Sequence, residues 1–347
     1  MSTPYQRNPA SLVWERPGAP PIAYSDGTES RILDIVRNAR DLSVFSPELT
    51  AAISDWPTEY HFSRSRHLLL RPLSIRPGNR VLELGCGCGA LTRYLGECGA
   101  SVHAVEGSPS RAQIAAARCR DLSNVAVHLD DIAHFSSTSS YDWVLLVGVL
   151  EYAPVFSSAP DPVRDCLAQA ARFLAPNGRL VIAIENKLGL KYFNARTEDH
   201  LGIPFYGIQN LYTSKQPVTF GKKELTSRLA RAGLSFTRFF YPFPDYKLPE
   251  TILADDSLAC PSFNPCDILP LSSSRDYGKP SAPSFSEPLA QRELHSNGLL
   301  ADFANSFLVL ASPNSLPPPH PDSTLAWRFT IHPNRQWATQ TTYFSTS

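Results

Sequence analysis

A glycine-rich loop is the part of the sequence whose residue types and spacing best suit ligand chemistry. The loop reads ELGCGCG over residues 83–89 and follows a short apolar stretch. Glycines at alternate positions (Gly85, Gly87 and Gly89) leave the backbone open to a ligand and permit positive φ angles. Cys86 between them is a small side chain rather than a redox group. If the apolar stretch is a strand of an open α/β sheet, the loop lies at the carboxyl end where such sheets bind ligands, beside a helix N-terminus.

Two ligand classes fit this loop. The pattern Gly85-x-Gly87-x-x-Ala90 satisfies the fingerprint of dinucleotide-binding proteins. Glu83 argues against that class, because its carboxylate would repel a pyrophosphate but suits a ligand with an ammonium group. Glu106, which precedes Gly107, ends the next apolar stretch, where a carboxylate can accept both ribose hydroxyls. Glu106 fits either class, but Glu83 and the third glycine, Gly89, favour a cationic nucleoside that is bound without phosphates.

Five apolar segments that alternate with helical segments must position these residues. They are apolar almost throughout, as strands covered on both faces should be. Their alternation with helices predicts a mostly parallel, twisted sheet with right-handed crossovers and helices on both faces. The predicted strands are residues 81–84, 102–106, 125–129, 143–149 and 179–184, and the helices are 90–98, 109–120 and 162–175.

The rest of the chain divides around this α/β domain. Apolar residues at helical spacing predict a helical cap before the domain, with a break at Pro57. Prolines number 31 of 347 and fifteen of them follow residue 240, so regular structure should thin out there. The predicted organisation is an irregular segment 1–27, the cap 28–76, the domain 77–249 with an aromatic-rich insertion 186–220, and a Pro-rich, partly β extension 250–347.

Composition excludes several function classes. The net charge is zero, which argues against a protein whose partner is nucleic acid. The longest apolar run, residues 143–150, is far shorter than the ~18 residues that span a bilayer. The first twenty residues contain no apolar signal region, so a cytoplasmic protein is expected. The seven cysteines form no pair of CxxC units, and we predict no metal site.

The glycine loop, Glu106 and the third strand end together resemble the class I S-adenosylmethionine (SAM) methyltransferases, over residues 78–247. The resemblance implies a Rossmann-like fold with SAM as methyl donor. It implies that Glu83 and the loop hold the aminocarboxypropyl group, that Glu106 holds the ribose, and that Asp131 and Ile132 bind the adenine. The segment 147–151, with Gly148 and Val149, would line the sulfonium. An acidic residue, Asp130, replaces the usual small residue before Asp131, and we prefer Asp131 as the adenine partner.

Several strings are also similar to a narrower bacterial subfamily of these enzymes. Its members often belong to surface-polysaccharide or specialised-metabolite pathways, which implies a biosynthetic role without naming the acceptor. The similar strings include IENKLGLKYF (184–193), EDHLG (198–202), YPFPDYKLP (241–249) and FANSFLVL (303–310).

Four residues are candidates for the acceptor side of the reaction. Glu185 and Asn186 end the fifth strand, and Tyr152 follows the fourth strand. His200 lies in the insertion and has an unperturbed pKa near neutrality, which suits a general base. Aromatic residues of the insertion, among them Tyr192, could exclude water and stabilise a cation.

The function expected from these observations is methyl transfer from SAM to a small-molecule or carrier-bound acceptor, and a homodimer is left open. An alternative is a SAM cyclase, in which the SAM amino group attacks its own γ-carbon to give azetidine-2-carboxylate and methylthioadenosine. A SAM-binding scaffold without turnover is a third interpretation. Methylation of RNA or DNA is disfavoured, because GVLEYAP stands where an NPPY-like tetrapeptide would follow the fourth strand.

Overall fold

The computed structural model describes residues 5–18, 22–277, 282–315, 323–332 and 338–345, which form two compact units. The first unit contains Met1–Val147 and Ala168–Val181, and the second contains Gly148–Leu167 and Ile182–Ser347. The elements that begin in the first 147 residues are β1 (Gln6–Arg7), β2 (Trp14–Glu15), α1 (Glu29–Asn38), α2 (Pro47–Ala51), α3 (Trp56–Phe62), a 3₁₀ helix (Arg66–Leu73), β3 (Arg80–Leu84), α4 (Ala90–Glu97), β4 (Ser101–Glu106), α5 (Pro109–Arg118), β5 (Val125–Leu129) and β6 (Tyr141–Val147).

The sheet of the first unit has β3 in a central position. Its strand order is β1-β2-β5-β4-β3-β6, followed by the first part of β7 (Leu174–Glu185). The pairs β3–β4, β3–β6 and β4–β5 are parallel, with Val81 opposite both Val102 and Trp143. The chain winds to one side of β3 through β4 and β5, and to the other through β6. The carboxyl end of β3 is therefore a topological switch point, where open α/β sheets bind ligands.

Helix α1 packs against α5 on one face of this sheet. Ile32 and Val36, one turn apart on α1, are fully buried with Ile114 of α5. Helix α5 begins as the sequence predicts, with Ser108 at the N-cap position and Pro109 in the first turn. This packing fixes α5 next to the glycine loop.

The second unit carries an antiparallel sheet. Its strand order is the last part of β7, then β10-β8-β9-β11-β12, and the registers pair Leu308 with Phe240 and Leu253 with Ala326. Its elements are a 3₁₀ helix (Leu150–Tyr152), α6 (Ala153–Phe156), the start of α7 (Pro162–Ala171), α8 (Leu190–Phe193), α9 (Lys222–Arg231), β8 (Phe236–Phe243), β9 (Thr251–Ala254), two 3₁₀ helices (Asp255–Leu258 and Pro265–Asp267), α10 (Glu287–Ser296), α11 (Leu300–Phe303), β10 (Ser306–Ser312), β11 (Thr324–Thr330) and β12 (Thr339–Phe344).

The N-terminal part of the chain differs from the expectation of an irregular segment. Two short strands, β1 and β2, lie there, and β2 pairs in parallel with β5. The helical stretch that begins at Pro47 is first broken at residues 52–55 rather than at Pro57, which lies in the first turn of α3, where a missing N–H costs nothing. Its action as a cap stays a prediction.

The C-terminal part is more regular than its prolines suggest. The sequence analysis did not predict β9, β12, α10 or α11. Pro288 occupies the first turn of α10, and the two strands are short or exposed. Strand β7 begins five residues before the predicted start, because the helix before it ends at Ala171. Among the described residues, no helix is long and apolar enough to cross a bilayer.

Candidate functional site

The glycine loop adopts the backbone conformation that the sequence predicts. Gly85, Gly87 and Gly89 have φ angles of 77°, 55° and 76°. A Cβ atom on Gly89 would lie 2.8 Å from the Cα atom of Ala115, so glycine also permits the close approach of α5. No described atom lies within 4 Å of the corresponding position on Gly87, so the middle of the loop is open to a ligand.

The two cysteines of the loop are buried thiols. Burial raises the pKa of Cys88 to about 12, and it raises the pKa of Cys86 well above its usual value. Both therefore stay protonated at neutral pH, which suits small packing side chains better than nucleophiles.

Glu83 lies at the base of the loop with an environment suited to a cation. Its side chain is buried near the end of β3, and the Thr92 hydroxyl donates a 2.6 Å hydrogen bond to Oε2. Burial raises the pKa of Glu83 to about 7, although Thr92 and Arg66 oppose this effect. A carboxyl group that is half ionised near neutral pH gains most from a ligand that brings positive charge.

Glu106 fastens the loop to the end of β4. Its Oε2 accepts a 2.8 Å hydrogen bond from the Gly87 amide, and its Oε1 accepts one of 2.9 Å from the Ser108 amide. Each carboxylate oxygen has a second lone pair, so ribose hydroxyls can still be accepted. Burial raises the pKa of this carboxyl group.

The chain near Ile22 covers Gly107. The Ile22 amide donates a 3.0 Å hydrogen bond to the Gly107 carbonyl, and a Cβ on Gly107 would lie 2.5 Å from the Ile22 Cδ1 atom. Gly107 thus has a local structural reason to lack a side chain, beside its predicted place in the ligand site.

The two acids after β5 have different surroundings. Asp130 is buried and accepts hydrogen bonds from Tyr5 (2.5 Å) and from Arg16 (2.6 and 2.9 Å). Asp131 and the next residue, Ile132, are partly exposed. Asp130 therefore anchors the N-terminal segment, and Asp131 remains our choice for the adenine. No local pattern could have revealed the partners of Asp130, which lie more than 110 residues away in the chain.

In the second unit, Gly148 begins the segment assigned to the sulfonium side. It has a φ of 68°, and a Cβ there would lie 2.9 Å from the Tyr246 hydroxyl oxygen. The next residue, Val149, leads into the short 3₁₀ helix that contains Glu151 and Tyr152. The ring centroid of Tyr152 lies 5.3 Å from that of His200, in an edge-to-face arrangement.

A buried cluster of acids surrounds His200. Its Nε2 atom lies 3.6 Å from Glu151 Oε1 and 3.9 Å from Glu185 Oε2, while its Nδ1 atom lies 2.9 Å from Glu198 Oε1. Burial opposes the charged imidazolium, but the neighbouring carboxylates raise the pKa of His200 well above its usual value. The structure thus brings together three of the predicted acceptor-side residues, Tyr152, Glu185 and His200, and places Glu151 beside them.

Two lysines that the sequence analysis did not single out as site residues complete this region. Lys247 contacts Glu185 and lies 2.8 Å from Asp199 Oδ1, and Lys191 lies 2.8 Å from Asp199 Oδ2. The nearby carboxylates outweigh the effect of burial and raise the pKa of Lys247 well above its usual value. The available signal was that both lysines occur inside the aromatic strings that resemble the bacterial subfamily.

Asn186, the fourth predicted acceptor-side residue, is occupied by backbone contacts. Its Nδ2 donates 2.7 Å hydrogen bonds to the carbonyls of Asp302 and Ala304, and its Oδ1 accepts one from the Leu188 amide. The side chain is fully buried. This arrangement favours a role in shaping the end of β7 over contact with an acceptor.

Comparison with known proteins gives a family for part of the chain. Residues 82–180 match the family described as "Methyltransferase domain". This range begins in β3 and includes the glycine loop, Glu106 and Asp131.

Curated relatives and solved structures of the same kind are also similar to this chain. Demethylmenaquinone methyltransferase of Tropheryma whipplei is 32% identical over 117 residues, which are 34% of this chain and 46% of the relative. Protein-L-isoaspartate O-methyltransferase of Methylorubrum populi is 33% identical over 114 residues, which are 32% of this chain and 50% of the relative. The CcbJ methyltransferase from Streptomyces caelestis has a TM-score of 0.42 at 15% identity, covering 79% of this chain and 100% of that one.

The chain therefore spans about half the length of the curated relatives it matches. The residues that match the family model carry the glycine loop and four of the parallel strands. These findings show that residues 82–180 are similar to a methyltransferase domain.

Proposed function

We propose that this chain transfers a methyl group from SAM to a small-molecule or carrier-bound acceptor in a bacterial biosynthetic pathway. The observation that carries the proposal is the open glycine loop between Glu83 and Glu106 at the switch point of a parallel sheet. A zero net charge supports a small acceptor over a nucleic acid. The strings quoted above support membership of the bacterial subfamily.

Each acid of the loop region has one part in holding SAM. Glu83 pairs with the ammonium group of the methionine moiety, Glu106 accepts the ribose hydroxyls, and Asp131 accepts the adenine amino group. The glycine loop lies along the rest of the aminocarboxypropyl group. Methyl transfer is then an in-line displacement, so the work of the protein is to align donor and acceptor and to remove a proton from a neutral acceptor. Tyr152, Glu185 and His200 stay candidates for the acceptor side.

The raised pKa of Glu83 predicts that SAM binds more tightly as pH rises from 5.5 to 7. Burial places this pKa at about 7 without ligand, and an ammonium partner favours the ionised form. Below pH 7, binding must release a proton, so the dissociation constant should fall by up to ~10-fold per pH unit. The SAM amine, with a pKa near 8, stays protonated across this window. Titration calorimetry in buffers of different ionisation enthalpy would count the released protons.

Glu83→Gln is the control for this prediction, because it keeps the shape of the side chain but cannot ionise. Its SAM affinity should be weaker at pH 7 and nearly constant between pH 5.5 and 7. A wild-type affinity that does not change over the same window would show that Glu83 does not pair with the ligand's charge.

Product analysis distinguishes methyl transfer from SAM cyclisation. Purified protein with SAM alone should leave SAM intact, and addition of an acceptor fraction from a bacterial extract should yield S-adenosylhomocysteine. Methylthioadenosine from SAM alone would overturn the proposal in favour of the cyclase, which no comparison supports. SAM binding with no product from any acceptor fraction would count against methyl transfer and favour a scaffold.

A further inference from the structure

Three ligand-type side chains from separate elements converge in the second unit. Glu151 lies in the 3₁₀ helix Leu150–Tyr152, Glu185 ends β7, and His200 lies in the insertion. One oxygen of each carboxylate and one imidazole nitrogen all lie within 4.8 Å of one another. Ligand atoms that share a cation at about 2.1 Å are separated by about 3 to 4 Å, so small side-chain adjustments would bring these three onto one ion.

Three carboxylate oxygens of this cluster lack hydrogen-bond partners in the described structure. Glu151 and Glu185 are fully buried, yet neither oxygen of Glu151 nor the Oε2 atom of Glu185 has a hydrogen-bond partner there. The distances from His200 Nε2, at 3.6 and 3.9 Å, are longer than hydrogen bonds. A buried carboxylate without hydrogen bonds is unfavourable by several kcal/mol, so a metal ion between these oxygens would stabilise them.

His200 is oriented by a carboxylate, as metal-binding histidines commonly are. Glu198 Oε1 lies 2.9 Å from Nδ1, and Glu198 Oε2 is itself fixed by the amides of His200 and Leu201. A metal-bound histidine typically donates its second ring N–H to a carboxylate, which sets the tautomer and the ring orientation. The same contact here directs Nε2 toward Glu151 and Glu185, where an ion would replace a proton on that nitrogen.

The carboxyl groups around the cluster outnumber the lysines, which favours a bound cation. Lys247 contacts Glu185 and Asp199, and Lys191 contacts Asp199 and lies 3.9 Å from Asp245 Oδ2. These two lysines can offset two of five neighbouring carboxyl groups, which leaves up to three negative charges for His200 and a ligand to balance. The five carboxylates are Glu151, Glu185, Glu198, Asp199 and Asp245.

We propose that Glu151, Glu185 and His200 bind one divalent transition-metal ion. Two carboxylate oxygens and one imidazole nitrogen suit ions such as Co²⁺, Zn²⁺ or Fe²⁺ better than Mg²⁺, which prefers oxygen ligands alone. This proposal differs from the prediction of no metal site, which relied on the absence of paired CxxC units and did not consider Glu151, Glu185 and His200 together. It does not depend on the proposed methyl transfer, because it follows from side chains of the second unit alone.

Cobalt binding to the full-length, EDTA-treated protein tests the proposal. We expect equilibrium dialysis to find one Co²⁺ per chain, with visible d–d absorption and no thiolate charge-transfer band, since the seven free cysteines are not ligands. Glu151→Gln, Glu185→Gln and His200→Gln should each weaken binding by about 100-fold or more, and Glu198→Gln by about 10- to 100-fold.

The matched control is Glu293→Gln, at an exposed glutamate of α10, which should bind Co²⁺ like the wild type. Circular dichroism would establish that each variant is folded, and the wild-type result stands even if one variant is not. The absence of stoichiometric Co²⁺ binding to the wild type would overturn the proposal. Co²⁺ binding that survives all three ligand substitutions would also overturn it. So would binding of an organic ammonium ion such as methylammonium at the cluster without any Co²⁺ binding.

Discussion

Replacement of Glu106 by alanine should weaken SAM binding by about 100- to 1000-fold. The substitution removes a carboxylate predicted to accept both ribose hydroxyls, and charge-assisted hydrogen bonds contribute about 1.5–3 kcal/mol each. It also removes the acceptor for the Gly87 amide, which ties the glycine loop to the end of β4. Titration calorimetry with SAM or S-adenosylhomocysteine at pH 7.5 measures the change.

Two further variants make the result specific. Glu106→Gln keeps one acceptor oxygen and the volume of the side chain, so its loss should be smaller, at about 10-fold. Asp34→Ala, at an exposed position of α1 in the same unit, should bind like the wild type. Equal affinities for the wild type and Glu106→Ala would mean that the ribose is not held at the end of β4.

Replacement of Lys247 by methionine should lower the free energy of unfolding by about 3–5 kcal/mol. Lys247 contacts Glu185 and Asp199, and its loss would leave both buried carboxylates without this partner. Removing one member of a buried ion pair costs this much because the remaining charge stays desolvated. Urea denaturation followed by circular dichroism would report the difference from the change in midpoint.

Lys223→Met is the matched control, because Lys223 is an exposed lysine of α9 in the same unit. Its unfolding midpoint should stay within the error of the wild type, since exposed charges contribute little. A midpoint for Lys247→Met that matches this control would show that Glu185 and Asp199 do not depend on the lysine.

Local sequence patterns were sufficient to predict the elements around the glycine loop. Strand β5 has the predicted bounds, and β3 and β4 differ from theirs by one residue, because continuous apolar runs mark buried parallel strands. The start of α5 followed from Ser108 and Pro109, whose effect on a helix end is local. The positive φ angles of the loop followed from its glycines.

The features that escaped prediction depend on contacts between distant parts of the chain. Asp130 is held by Tyr5 and Arg16, and β2 joins the sheet because it pairs with the distant β5. The contacts of Lys247 with Glu185 and Asp199 likewise join separate elements of the second unit. Charge and apolar periodicity along the sequence do not encode such pairings, so neither the anchor at Asp130 nor the cluster of Glu151, Glu185 and His200 could be found from local pattern.

The central claim, that SAM binds at the carboxyl end of β3, is tested most directly by titration calorimetry of the wild-type protein with SAM and S-adenosylhomocysteine. We predict one molecule bound per chain at pH 7.5, with competition between the two ligands for the same site. The absence of binding by either ligand to the folded protein would contradict the account.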